Sequence, residues 1–382
     1  MKVALVIPEL DPRRGGAETW TAQYLQWLLA HGHQVHLLSR SLHGLHHPQL
    51  HWHPLPGVKD PWQLAVAAER VLQGLSVDVA HDLGVGWSAE VFQPHGGSRL
   101  ASWECGLDAT EPWLRPWKRW AWKCLPRYRR WRRLVQRQFE NPRRIYIALS
   151  RMVQEHFVRY HGLRSQQIRL IYNGVDLKRF DPRRFAQQAQ ALRCRFGVGA
   201  QEVVLLVVAH NFRLKGVPEL LDAMRRVGPA CRRLRVWIVG GKHWRGWARQ
   251  VARWDREGQV RFFGPVEDTR PFYAACDVLV HPTHYDPCSL VVLEALAMGV
   301  PVVTTTRNGA AERMQHGVHG WVLPAPANAE QLALVLTHLA HNDDLGRMRQ
   351  AVWHLRRQLE HERNFQAVFD CYRQCRRPAQ AA

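Results

Sequence analysis

The chain has 382 residues, 46% of them hydrophobic and 22% charged. That balance argues against wholesale disorder and is long enough for two domains, each with its own core. Lysine and arginine outnumber aspartate and glutamate by 53 to 32, a net charge of +21. An excess of that size implies an anionic partner, either nucleic acid or an acidic membrane face.

The first apolar run, 3–7, is cut by Pro8 and Glu9. It is too short for a secretory leader and reads as a buried strand. Further strands are predicted at 34–39, 77–81, 145–149 and 169–172, with helices at 17–30 and 151–160. After a polar, Arg-rich break at 173–200 the rhythm repeats. Strands at 203–209, 235–239, 260–263, 278–281 and 301–305 alternate with helices at 216–227, 244–257, 289–298 and 328–340. A helical tail is predicted over 344–377. The longest apolar run, 203–209, is far below the roughly 20 residues of a membrane-crossing helix. Continuous apolar strands alternating with helices imply parallel sheets covered on both faces. Two such α/β units in tandem give two Rossmann-like domains facing across a cleft, expected at 1–174 and 175–360, with 361–382 packing back on the first. The eight cysteines show no C-x-x-C pair. They read as reduced thiols in a cytoplasmic protein.

One segment departs from the rhythm. Residues 115–144 hold twelve basic side chains and a single acidic one, Glu140, and Trp117, Trp120, Trp122 and Trp131 are interleaved, with Trp113 just before. Basic residues with Trp on a helix fit an interfacial membrane segment over 113–144, a grip on a nucleic-acid backbone, or a solvated helix.

Three loops could carry chemistry. Gly15-Gly16 lies between the first strand and the first helix, where a glycine pair is either a turn or a close approach of backbone N–H groups to an anion. Phe212-Arg213-Leu214-Lys215-Gly216 follows the strand at 203–209, and open parallel sheets bind ligands at the carboxyl ends of their strands. Two cations there suit a diphosphate, or form a solvated loop. In Tyr285-Asp286-Pro287-Cys288-Ser289-Leu290-Val291-Val292-Leu293-Glu294-Ala295, two carboxylates lie eight apart around a helix start. Glu294 on so apolar a helix needs a partner, which a ribose diol would supply. The N–H groups of Ser289 and Leu290 could hold phosphate or sugar. His43, His46, His47, His51 and His53 form a local cluster that reads as adventitious Zn or Ni binding. No Asp-x-Asp or His-Glu-x-x-His occurs, so no functional metal is expected.

Together, Gly15-Gly16-Ala17-Glu18, Tyr172-Asn173-Gly174-Val175-Asp176, Arg213-x-Lys215-Gly216 and Asp286-x7-Glu294 with Ala295-Leu296-Ala297-Met298-Gly299-Val300-Pro301 after it resemble retaining glycosyltransferases of family 4. Within these the pattern is nearest the lipopolysaccharide core glucosyltransferase I group. The resemblance spans essentially the whole chain. It implies the GT-B fold and transfer of a hexose, with retention, from UDP-glucose to a lipid-anchored glycan, the lipopolysaccharide inner core. It also implies peripheral attachment to the inner face of the cytoplasmic membrane, with no metal and no other cofactor. By the resemblance Glu294 would hold ribose hydroxyls and Lys215 the departing diphosphate. Asp286, replacing the usual first Glu, would touch the donor sugar. Arg213 stands two residues before the lysine rather than at the common wider spacing. Gly16, beside Gly15, would pass close to the donor. His95, otherwise an ordinary loop histidine, stands where the family places an active-site histidine. The expected catalytic residues are therefore His95, Arg213, Lys215 and Asp286. Gly15, Gly16, Arg213, Lys215, Ser289, Leu290 and Glu294 are expected to bind the donor. The alternatives are a nucleotide-sugar epimerase of the same fold and a basic nucleic-acid-binding protein.

Overall fold

The structure, a computed structural model, describes residues 1–12, 15–227, 232–241, 243–255, 258–326, 328–341 and 344–375. The chain divides into two compact units: Met1–Tyr172 together with the C-terminal segment from Glu362, and Asn173–His361.

The first unit runs β1 (Lys2–Val6), α1 (Gly16–Ala30), β2 (Gln34–Ser39), β3 (Leu50–Pro54), α2 (Pro61–Gln73), β4 (Val79–Asp82), β5 (Val91–Phe92), α3 (Arg99–Asp108), α4 (Arg115–Cys124), α5 (Pro126–Gln138), β6 (Ile145–Ala148), α6 (Arg151–His161) and β7 (Ile168–Leu170). Its strands pair in the order β3-β2-β1-β4-β5-β6-β7, every pairing parallel. The second unit contains α7 (Ala186–Arg195), β8 (Val203–Ala209), α8 (Val217–Val227), β9 (Leu234–Gly240), α9 (Trp244–Val251), β10 (Val260–Gly264), α10 (Arg270–Ala275), β11 (Val278–His281), α11 (Leu290–Ala297), β12 (Val302–Thr305), β13 (Gly320–Leu323), α12 (Ala329–His341) and α13 (Leu345–Leu355). Its parallel order is β10-β9-β8-β11-β12-β13. Residues 204–207 of β8 are wholly buried, as a strand covered on both faces must be. The order reverses between β1 and β4 and between β8 and β11. At such switch points the loops leaving neighbouring strands part and leave a crevice.

Differences from the sequence reading have local causes. β3 was not predicted because Leu50-His51-Trp52-His53-Pro54 is a half-exposed edge strand without an apolar run. β5 is only two residues long. α7 forms inside the expected break, and the helix predicted over 244–257 stops at Val251. The tail is not one helix. After α13 a 3-10 turn, Arg356–Leu359, leads to an extended Glu360 that bridges Val175, with Val175 N–H donating to Leu359 O at 2.7 Å. Gly174 is required beside this crossing, because a Cβ there would lie 2.5 Å from His361 Cα. Residues 376–382 of the predicted tail lie outside the described residues.

The last helix, α14 (His361–Gln374), completes the first unit from Glu362 onward. Trp20 Nε1 donates to Asn364 Oδ1 at 2.8 Å, Trp27 Nε1 to Glu362 Oε1 at 2.6 Å, and Tyr372 OH lies 2.7 Å from His81 Nδ1. Phe365 and Phe369 pack among Tyr24, Trp27 and His33.

The basic segment is a pair of helices, α4 and α5, and much of its charge has internal work. Arg144 is buried, donating Nε to Ala89 O at 2.7 Å and Nη1 to Gln138 O at 2.9 Å, with its charge beside buried Asp82. Arg130 pairs with Asp60 at 2.7 Å, Arg132 donates to Trp122 O, and Arg137 lies over the Trp87 ring. Trp122 stacks on Trp103 and meets Trp131 edge-on. The segment's exposed large apolar side chains are Trp113, Trp117 and Trp120, at 76%, 62% and 50%. No helix among the described residues is long and apolar enough to cross a membrane.

Candidate active site

Because β8 and β11 are neighbours, the loops at their carboxyl ends, 210–216 and 282–289, meet in the second unit. Leu214 O accepts from His284 N–H at 2.9 Å and from Thr283 Oγ1 at 3.0 Å. Gly216 closes the join with φ +74°, and any Cβ there would strike the Pro282 carbonyl. A side chain is excluded at 216 both by conformation and by space. Clamped in this way, Lys215 Nζ reaches Asp286 Oδ2 at 2.5 Å. His281 Nε2, at the end of β11, lies 3.4 Å from the same oxygen and 3.4 Å from Ser289 Oγ.

Burial alone would raise the Asp286 carboxyl. The Lys215 ammonium and the His281 contact outweigh it and hold the group below the usual carboxylate range. Burial lowers the His281 imidazole, which is neutral at pH 7. Eight residues on, Glu294 accepts from Tyr273 OH at 2.9 Å through Oε2. Here burial dominates over the Tyr273 hydrogen bond and the Arg179 charge, and the carboxyl is pushed up to about 7. The partner required by a carboxylate on this apolar helix is thus first a tyrosine of α10.

The other expected residues are placed differently. Ser289 is the residue before α11, and its N–H goes to Asn308 Oδ1 at 3.3 Å rather than standing open. A buried helix start must satisfy its amides, and Asn308 does so here. Leu290 opens α11. Arg213 is exposed, with its guanidinium 5.8 Å from the Trp247 ring centre, lining a cavity of about 270 Å³ with His243, Gly246 and Gln250. Asn173 donates to Cys288 O at 3.0 Å, tying the Asn173-Gly174 turn to the carboxylate loop.

Gly15, Gly16 and His95 belong to the first unit. Gly15 caps α1 in extended conformation, and its carbonyl accepts from Thr19 Oγ1 at 2.9 Å. His95 follows β5 and packs against Trp20 at 4.8 Å. Its Nε2 is buried without a hydrogen-bond partner among the described residues, and burial pushes its pKa down to about 3. In the cluster 43–53, His53 meets His36 and His51 meets Gln34, and no group of three or more potential metal ligands forms among the described residues.

A sequence model described as Glycosyltransferase Family 4 matches residues 14–179, and one described as Glycosyl transferases group 1 matches residues 201–342, between them most of the chain. The chain belongs to the family 4 glycosyltransferases. The chain is 24% identical over 222 residues to lipopolysaccharide glucosyltransferase WaaG of Escherichia coli strain K12, 57% of this chain and 59% of that one. It is 34% identical over 198 residues to a D-inositol 3-phosphate glycosyltransferase of Geodermatophilus obscurus, 49% of this chain and 43% of that one. The chain therefore matches only about half the length of these curated relatives. Its fold is GT-B. The crystal structure of WaaG superposes with a TM-score of 0.79 at 20% identity, covering 96% of this chain and 98% of that one. Anabaena HepE in complex with UDP-glucose superposes with a TM-score of 0.73 at 19% identity, covering 98% and 100%.

Proposed function

We propose that this glycosyltransferase moves a hexose, glucose first among candidates, from a uridine diphosphate sugar to a lipid-anchored glycan, the inner core of lipopolysaccharide, with retained anomeric configuration and without a metal ion. The observation that carries the reading is the Lys215–Asp286 contact at the switch point between β8 and β11. A nucleoside diphosphate sugar placed there meets a cation for its phosphates and carboxylates for its hydroxyls. Two further supports are the relatives named for lipopolysaccharide core synthesis and a similar fold solved with UDP-glucose.

In this reading Asp286 holds the Lys215 ammonium in place until a diphosphate arrives. The bond from the anomeric carbon to the phosphate oxygen then breaks, and Lys215 stabilises the charge that grows on the leaving group. The acceptor oxygen bonds to the same face of that carbon, and its proton passes to the departing phosphate. Glu294 holds the ribose and Asp286 the sugar. Trp113, Trp117 and Trp120 with the basic residues of α4 and α5 dock the protein on the anionic inner face of the cytoplasmic membrane, where such an acceptor lies.

Purified protein given a panel of nucleotide sugars, core-truncated lipopolysaccharide and excess EDTA tests this. UDP-glucose is expected to be consumed with formation of an α-linked product, read by anomeric NMR coupling. A β-linked product, or activity lost on chelation and restored by Mg²⁺ or Mn²⁺, would overturn the mechanism. Conversion of the donor sugar with no acceptor present would favour the epimerase alternative.

A further inference from the structure

Glu294 is partly exposed, yet one of its oxygens is committed inward. Tyr273, wholly buried on α10, donates its hydroxyl to Oε2 at 2.9 Å. Oε1 has no hydrogen-bond partner among the described residues and is not sealed from solvent. The tyrosine ring is itself fixed, edge-on to Phe180 at 6.3 Å. A long carboxylate side chain that is only partly buried otherwise samples several rotamers, and ordering them on ligand binding costs affinity.

We propose that Tyr273 is the positioning residue of the ribose site: its hydroxyl locks the Glu294 rotamer and leaves Oε1 as the acceptor for the nucleotide's ribose hydroxyls. The proposal rests on the reading of Glu294 as the ribose-binding carboxylate. Tyr273 has no role in the transfer step. Its contribution falls on recognition of the ribose, and that separates it from a tyrosine that merely fills the core. Loss of the hydroxyl leaves the ring, its packing and the fold in place and frees the carboxylate to turn.

The test is calorimetric titration of UDP and of 2′,3′-dideoxy-UDP into the full chain, with no acceptor needed. Tyr273→Phe is expected to weaken UDP about tenfold, the effect of a lost hydrogen bond to a charged group. The same variant should leave dideoxy-UDP, which has no ribose hydroxyl to offer, unchanged. Equal weakening of both nucleotides, or no weakening of either, overturns the proposal. Glu294→Ala, run in parallel, separates this failure from that of the underlying reading. If Glu294→Ala keeps the preference for UDP over its dideoxy form, the ribose assignment itself is wrong, and the proposal falls with it. If Glu294→Ala abolishes that preference and Tyr273→Phe does not touch it, Tyr273 alone is misassigned. Tyr273→His supplies a second variant that keeps a ring and a donor. Partial recovery of UDP affinity over Tyr273→Phe supports positioning, and a value no better than Tyr273→Phe counts against it.

Discussion

The loops around Lys215 and the helices around Trp117 are both conspicuous in the sequence, and the structure treats them in opposite ways. In the first, most of the polar groups are paired: Leu214 O accepts from Thr283 and His284, Lys215 meets Asp286, and Asn308 takes the Ser289 amide, leaving His281 Nδ1 and His284 Nδ1 buried without a partner among the described residues. In the second, composition misleads. Arg130, Arg132, Arg137 and Arg144 serve the packing of the first unit, and the outward face is narrower than the count of basic residues implies. A motif with fixed spacing reports a geometry, whereas a run of one residue type reports only a tendency.

The contrast can be attacked at four points. Lys215→Ala strips the leaving group of its cation and is expected to cost about 10²–10³-fold in kcat, the scale of one lost charge-stabilising donor. Steady-state kinetics with saturating donor read it, and a change confined to KM would remove Lys215 from the transfer step. In the basic segment, Arg144→Met should destabilise the first unit by about 3 kcal/mol, since it orphans two buried carbonyls and the countercharge of Asp82. Arg133→Ser, at an exposed position, should stay within about 0.5 kcal/mol of the parent. Denaturant titration compares them, and equal effects would restore the view of the segment as uniformly solvated.

A triple change of Trp113, Trp117 and Trp120 to Ser should cut binding to anionic vesicles roughly tenfold, with the remaining binding abolished by salt. UDP affinity should not move. Undiminished cosedimentation after the triple change would remove these rings from docking. The smallest expected effect concerns pH. Glu294, held near 7, is ionised at pH 8 and mostly protonated at pH 6. A protonated carboxyl gives up acceptor capacity toward ribose, so UDP should bind several-fold more weakly at pH 6 than at pH 8. Asp286, with its pKa depressed, stays ionised throughout and adds no slope. Glu294→Gln should flatten the part of the profile that the phosphate's own titration does not explain, and an unaltered profile would show that Glu294 does not titrate there.

The parallel-sheet rhythm was legible because buried strands such as 203–207 are continuous apolar runs. The edge strand β3, whose face is half solvent, carries no such signal. At the site, the family resemblance put Lys215 and Asp286 on one donor, and the adjacency of β8 and β11 is what brings them together. Spacing could not say that Asn308, nineteen residues past Ser289, takes the amide expected to meet phosphate. Nor could it find His281 or Tyr273, since a histidine ending a strand and a tyrosine in a six-residue helix look like core residues. Those partners are set by tertiary packing. Arg213 shows the converse, where the motif carried a residue that packing turns toward Trp247.

Synthesis runs from one end of the chain to the other, and α14 gives that direction a consequence. The seven strands of the first sheet leave the ribosome early, but Trp20, Trp27 and His81 wait for Asn364, Glu362 and Tyr372, which emerge only after the whole second unit. The second unit is continuous in sequence, whereas the first is complete only once residues 362–375 have been made. A chain released short of residue 362 would keep the Lys215–Asp286 loops and lack the helix that seals Trp20 and His81.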